Sequence, residues 1–151
     1  MAPLKRILLA EDSERDVELT LAALAEHNLA NEVVVARDGE EALDYLYHRG
    51  KFTGHANGQP VVVLLDLKMP KLDGLEVLHQ MRTDPGLKHV PVVMITSSRE
   101  EQDLLRSYQL GVNAYVVKPM DFQQFVESIK QVGVFWAIVN EPPPGGLKRN
   151  S

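Results

Sequence analysis

The stretch Val61-Val62-Val63-Leu64-Leu65-Asp66 constrains this chain more than any other. Five apolar residues, mostly β-branched, run unbroken into a single carboxylate. Such a run fits a strand covered on both faces, as in the middle of a parallel sheet, rather than a strand with one wet face. Ligands of open α/β sheets sit beyond the carboxyl ends of the strands. Asp66 is thereby expected at the reactive edge of a sheet.

Four further runs read the same way. Arg6 to Ala10 ends in Glu11-Asp12, and Glu32 to Arg37 holds Val33-Val34-Val35. Pro91 opens Val92-Val93-Met94-Ile95, which ends at Thr96-Ser97-Ser98. Ala114-Tyr115-Val116-Val117 runs into Lys118-Pro119. Helical patterns lie between these runs. Ser13 with Asp16 resembles a capping box ahead of Val17, Leu21 and Leu24. Asp38 with Glu41 does the same ahead of Ala42, Leu43 and Leu46; a hairpin at Asp38-Gly39 is the alternative, but no alternating strand comes after it. A third helix starts at Asp73-Gly74-Leu75-Glu76, turns Leu75, Leu78 and Met81 inward, and stops by Asp84-Pro85-Gly86. Ser98 with Glu101 is expected to cap a fourth, bearing Leu104, Leu105 and Tyr108 and ending at Gly111. A last helix begins near Asp121, and Gly50 to Pro60 reads as a long loop.

Strand and helix thus alternate five times. The pattern predicts an α/β fold of the flavodoxin-like (βα)5 type, a three-layer sandwich with right-handed crossovers. The expected order of its parallel five-stranded sheet is 2-1-3-4-5, with the switch point between the first and third strands. One domain is expected over 1–140. Residues 141–151, with Pro142-Pro143-Pro144-Gly145-Gly146, cannot continue a helix and are expected to be a disordered tail.

Composition excludes several functions. A net charge of -5 argues against a nucleic-acid surface, which needs clustered Lys and Arg. The chain has no Cys, so disulfides and Cys-based zinc sites are excluded, and its five His show no ligand spacing. No apolar stretch approaches membrane-spanning length, and Ile7-Leu8-Leu9-Ala10 is too short for a signal peptide. A cytoplasmic protein without nucleic-acid or membrane partners is the expectation.

The residues at strand carboxyl ends carry the chemistry. Glu11 and Asp12 come after the first strand, Asp66 after the third, Thr96 after the fourth and Lys118 after the fifth. Because the first and third strands flank the switch point, three carboxylates converge there, and such a cluster needs a cation. An all-oxygen donor set in a hydrated cleft favours Mg²⁺. An ammonium and a hydroxyl beside the same carboxylate complete what a developing phosphoryl group requires. The chemistry expected is covalent phosphorylation of Asp66, with Thr96 and Lys118 as catalytic partners.

These motifs resemble the receiver domains of two-component response regulators, from Lys5 to about Val132. Glu11-Asp12 is similar to the family's acidic pair, and Leu65-Asp66 with Met69-Pro70-Lys71-Leu72-Asp73-Gly74 to its phosphoacceptor loop. Thr96, Tyr115 and Lys118-Pro119 are similar to its hydroxyl, switch aromatic and Lys-Pro dipeptide; Val112 after Gly111 is a small departure. The resemblance implies Mg²⁺ held by Glu11, Asp12, Asp66 and the backbone carbonyl of Lys68. It also implies a cis peptide before Pro119, a Thr96–Tyr115 switch and a sensor histidine kinase as phosphodonor. The long loop through Lys51 to Pro60, the Asp84-Pro85 turn and the Phe135-Trp136 pair resemble stand-alone receivers paired with phytochrome-type kinases.

With too few residues after the last helix for a DNA-binding unit, output is expected to be a protein contact. Phe122, Phe125, Val126, Ile129, Gly133 and Trp136 share one helical stripe facing the sheet, whereas Val134, Phe135 and Ile138 fall outside it. A continuing helix would leave those three exposed, which predicts a homodimer through this helix; a break at Gly133 is the alternative. Two other functions share parts of this layout. A flavodoxin-like carrier would need a phosphate cradle where Glu11, Asp12 and Glu14 stand. A phosphatase of the haloacid dehalogenase type would need a second acid at the position of Lys68.

Overall fold

The structure, a computed structural model, describes residues 6–26, 32–54 and 58–118, together with Gln123 and Glu127. Five strands form one parallel sheet: β1 (Arg6–Ala10), β2 (Glu32–Ala36), β3 (Val62–Leu65), β4 (Val92–Thr96) and β5 (Ala114–Val117). Their spatial order is β2-β1-β3-β4-β5, as the sequence predicts. The helices described in full are α1 (Glu14–Glu26), α2 (Gly39–Leu46), α3 (Gly74–Thr83) and α4 (Glu101–Gln109). None of the described helices is long and apolar enough to cross a membrane.

Successive strand side chains point to opposite faces, and both faces are dry. Leu8, Ala10, Val63, Leu65, Val92 and Met94 join Leu43 and Leu46 of α2 and Val77, Leu78 and Met81 of α3 in one core. Ile7, Leu9, Val62, Leu64, Val93 and Ile95 join Val17 and Leu24 of α1 in the other. All of these side chains are buried, which explains why the strands are runs rather than alternations. Arg82 ties α3 to the segments that enter β4 and β5. Its guanidinium donates to the carbonyls of Val90 and Gly111 and to Asn113 Oδ1, each at 2.9 Å.

Helix starts obey the local chemistry, with three departures. At α3 the capping box is complete in both directions between Asp73 and Glu76. At α2, Asp38 accepts from the Glu41 amide at 2.7 Å, but the Glu41 carboxylate reaches back to the Arg37 amide instead. At α1, Ser13 Oγ accepts from the Asp16 amide at 3.3 Å, while the Ser13 amide donates to Glu11. The expected Ser98–Glu101 cap is absent from α4: Glu100 stands at the N-cap without a side-chain bond, and Ser98 Oγ donates to Asp103 at 2.6 Å. Leu105 and Tyr108 on α4 are 55% and 50% exposed, so they are not core residues. On α3, Val77 is buried and Leu75 only half so, because the helix is rotated from the expected stripe.

The expected loop at Gly50 to Pro60 begins with a 3₁₀ turn, Gly50–Phe52. Phe52 is buried edge-on against Tyr45, with ring centroids 5.1 Å apart. The expected last helix, Pro119, the dimer residues Val134, Phe135 and Ile138, and the tail lie outside the described residues, apart from helical Gln123 and Glu127.

Candidate functional site

Strand pairing brings the site together at the carboxyl edge of the sheet. Ala10 pairs with Leu65, and the Asp66 amide donates to the Ala10 carbonyl at 3.0 Å. Glu11 and Asp66 therefore leave adjacent strands at the same level. Both are buried, at 3% and 7% exposure, while Asp12 is exposed. One carboxylate oxygen of each of the three lies within 4.8 Å of the others. A hard divalent cation fits such a donor set, since it consists only of oxygens and carries more negative charge than its setting tolerates.

Across the sheet, Thr96 pairs with Val117, and the Lys118 amide donates to the Thr96 carbonyl at 2.8 Å. The ammonium of Lys118 reaches over the acids. It donates to Glu11 Oε1 at 2.6 Å, Asp16 Oδ2 at 2.8 Å and Asp66 Oδ2 at 3.3 Å. Burial pushes the Glu11 carboxyl up to about 7; the Lys118 hydrogen bond opposes this and the charge of Asp66 adds to it. Burial alone would pull the Lys118 ammonium down, but its bonds to Asp16 and Glu11 outweigh that and hold it above the ordinary lysine range. The ammonium stays charged, and it sits against the acids that the cation set would use.

The hydroxyl side is built differently. Thr96 is fully buried, and its Oγ1 accepts from the Ser98 amide at 3.2 Å. Tyr115, half-buried on β5, donates from its hydroxyl to the Ser98 carbonyl at 3.3 Å. Thr96 and Tyr115 are thereby linked through one residue of the β4–α4 loop. Burial raises the Tyr115 phenol, so it remains a donor at neutral pH.

The loop after Asp66 is packed closely against its surroundings. A Cβ on Gly74 would stand 2.3 Å from the Asp66 carbonyl oxygen, and the Gly74 amide donates to the Leu67 carbonyl at 2.7 Å. Gly39 lies as close to Leu72, whose carbonyl oxygen would be 2.1 Å from an added Cβ. Lys71 takes a left-handed conformation, φ 69°, and its ammonium lies 3.7 Å from Asp38 and 3.8 Å from Glu40. Lys68 is exposed.

The structure thus brings Glu11, Asp12, Asp66 and Lys118 into one cluster and sets Thr96 and Tyr115 on the loop beside it. Sequence reasoning missed Asp16, which it used only as a cap. No local pattern marks that role, because the lysine it meets lies 102 residues further along the chain.

Comparison with known proteins shows the family of the chain. The family model described as response regulator receiver domain matches residues 7–130. Response regulator Rcp1 of Synechocystis sp. is 37% identical over 134 residues, covering 89% of this chain and 90% of that protein. The structure of its Mn²⁺-bound form superposes with a TM-score of 0.73 at 35% identity, covering 92% of this chain and 99% of that one. The bacteriophytochrome response regulator AtBRR is 62% identical with a TM-score of 0.84, covering 93% of this chain and all of the other. The phosphorylated cyanobacterial phytochrome response regulator RcpA is 41% identical with a TM-score of 0.74, covering 88% of this chain and 94% of that one.

Proposed function

The chain belongs to the response regulator receiver domain family, and on that premise we propose that Asp66 is its phosphoacceptor. Proteins of this family are signalling proteins rather than enzymes in the usual sense. One observation carries the reading: a buried carboxylate at a strand end stands within reach of an ammonium and two further acids. The second and third readings, an electron carrier and a phosphatase, find no support in the comparisons.

The donor is a phosphohistidine of a sensor kinase or a small phosphodonor. An Asp66 carboxylate oxygen attacks phosphorus in line, the bond to the donor nitrogen or oxygen breaks, and its electron pair leaves with the donor. Lys118 offsets charge on the transferring oxygens, and the Thr96 hydroxyl donates to one of them. Glu11, Asp12, Asp66 and the Lys68 carbonyl would hold Mg²⁺, which supplies charge neutralisation at the phosphoryl oxygens. Its own activity is at most this self-catalysed phosphorylation and a slow self-dephosphorylation, in which water attacks phosphorus and the Asp66 carboxylate leaves. A Thr96 drawn toward the new phosphoryl group pulls on Ser98, and through it on Tyr115, which makes the β4–α4 loop the two-state element.

The relatives named for bacteriophytochromes and phytochromes support a phytochrome-type sensor histidine kinase as partner in a two-component system. The sequence pattern at Val134, Phe135 and Ile138 supports a homodimer through the last helix, and the net charge of -5 argues against a nucleic-acid partner. Incubation with Mg²⁺ and acetyl phosphate, followed by intact mass, tests the core of this. A gain of one phosphoryl group, absent in Asp66→Asn, is expected; no gain in the unsubstituted chain overturns it. Sedimentation of the chain and of Phe135→Asp, Ile138→Asp tests the dimer, and an unsubstituted monomer overturns it.

A further inference from the structure

We propose that Asp16 is a positioning residue: it docks the Lys118 ammonium outside the cation's donor set, so that Glu11 and Asp66 are free to take a divalent cation. This rests on the phosphoacceptor reading above and deepens it. An ammonium has three N–H donors, and Lys118 spends all three on Glu11, Asp16 and Asp66. Two of these acceptors, Glu11 and Asp66, belong to the carboxylate set that fits a cation. Lys118 and a divalent ion therefore compete for the same oxygens, and their charges repel at such range. Asp16 is the acceptor the cation set does not use. It stands in the first turn of α1, where a carboxylate is favoured by the helix end.

The simpler role for Asp16, closing a capping box on Ser13, is already filled. The Ser13 amide donates to Glu11 Oε2 at 3.1 Å, which leaves the Asp16 carboxylate directed at Lys118. When a cation draws Glu11 and Asp66 to itself, Lys118 shifts toward Asp16 instead of leaving the cleft. It then remains beside Asp66 for the phosphoryl group.

Calorimetric titration of Mg²⁺ into the unphosphorylated protein tests this, with thermal unfolding as the control for folding. In Asp16→Asn, Lys118 has only the cation's own carboxylates, and Mg²⁺ affinity is expected to fall about three- to tenfold. Lys118→Met removes the competitor and tightens binding. Adding Asp16→Asn to Lys118→Met is then expected to change affinity by less than about twofold, and Asp16→Glu to restore most of the loss. An equal loss from Asp16→Asn with and without Lys118 overturns the proposal, because Asp16 then acts only as a distant charge. No loss in either background overturns it as well. If the unsubstituted chain takes up no Mg²⁺, the cation reading falls and this proposal with it; normal uptake with additive effects removes only the role of Asp16.

Discussion

Helices α3 and α4 each come after a strand that ends in a site residue, Asp66 for one and Thr96 for the other, yet they are held in different ways. The start of α3 is locked by a full capping box, and Gly74 packs on the backbone of Asp66 and Leu67. Its inner face buries Val77, Leu78 and Met81. The start of α4 has no side-chain cap bond, its large side chains Leu105 and Tyr108 are half exposed, and its buried residue is the small Ser107. Its link to the site is Ser98, through Thr96, Asp103 and Tyr115. The phosphoacceptor side is thus a scaffold, and the hydroxyl side is held by a few polar bonds that a new charge can rearrange. A switch needs both, since an input that moved with the output would lose its geometry.

The largest test of this contrast is truncation. Leu78→Ala on α3 is expected to cost about 2–5 kcal/mol in denaturant unfolding, whereas Leu105→Ala on α4 stays within about 0.5 kcal/mol. Similar costs for the two would remove the distinction.

The second test is pH, and it belongs to the acidic side alone. Because Glu11 is raised to about 7 in the fold, its contribution to the stability of metal-free protein is fully present below pH 4.5, the ordinary carboxyl value, and is lost as pH rises through about 7. Cation binding has the opposite slope, since the ligand must lose its proton. Mg²⁺ affinity is expected to rise by up to about tenfold per pH unit below pH 7 and then level off. Glu11→Gln abolishes that slope in calorimetry, and Thr96→Ala leaves it in place.

Capping gives a smaller effect. Asp73→Ala removes the cap of α3 and is expected to cost about 1 kcal/mol, while Glu100→Ala at the α4 start costs close to nothing in the same unfolding measurement. The smallest expected effect is Tyr115→Phe. Loss of its half-exposed 3.3 Å bond should cost about 0.5 kcal/mol in stability but speed amide exchange in the Ser97–Glu101 segment. Unchanged exchange there would break the proposed link between Tyr115 and the loop.

Much of this was legible in the sequence. Unbroken apolar runs ending in Asp66, Glu11 and Thr96 fit buried parallel strands, and their fivefold alternation with helical patterns made the flavodoxin-like order the expected one. Asp73 and Glu76 announced a helix start because their spacing is itself the cap. The same spacing at Ser98 and Glu101 misled, since Ser98 finds a stronger acceptor in Asp103, five residues on. Leu105 and Tyr108 were apolar at plausible positions, yet a side chain's type does not fix which way a short helix is rotated.

The sequence by itself determined the strand runs, their polar ends and the family, because these depend on local period and on motif spacing. Only the tertiary structure decided where the Lys118 ammonium sits. That lysine lies 102 residues from Asp16 and 107 from Glu11, and its three bonds exist because parallel pairing aligns the ends of β1, β3, β4 and β5 at one edge. The raised Glu11 has the same origin: burial between strands, and the charge of Asp66 across the β1–β3 pair, are properties of neighbours that no local pattern records.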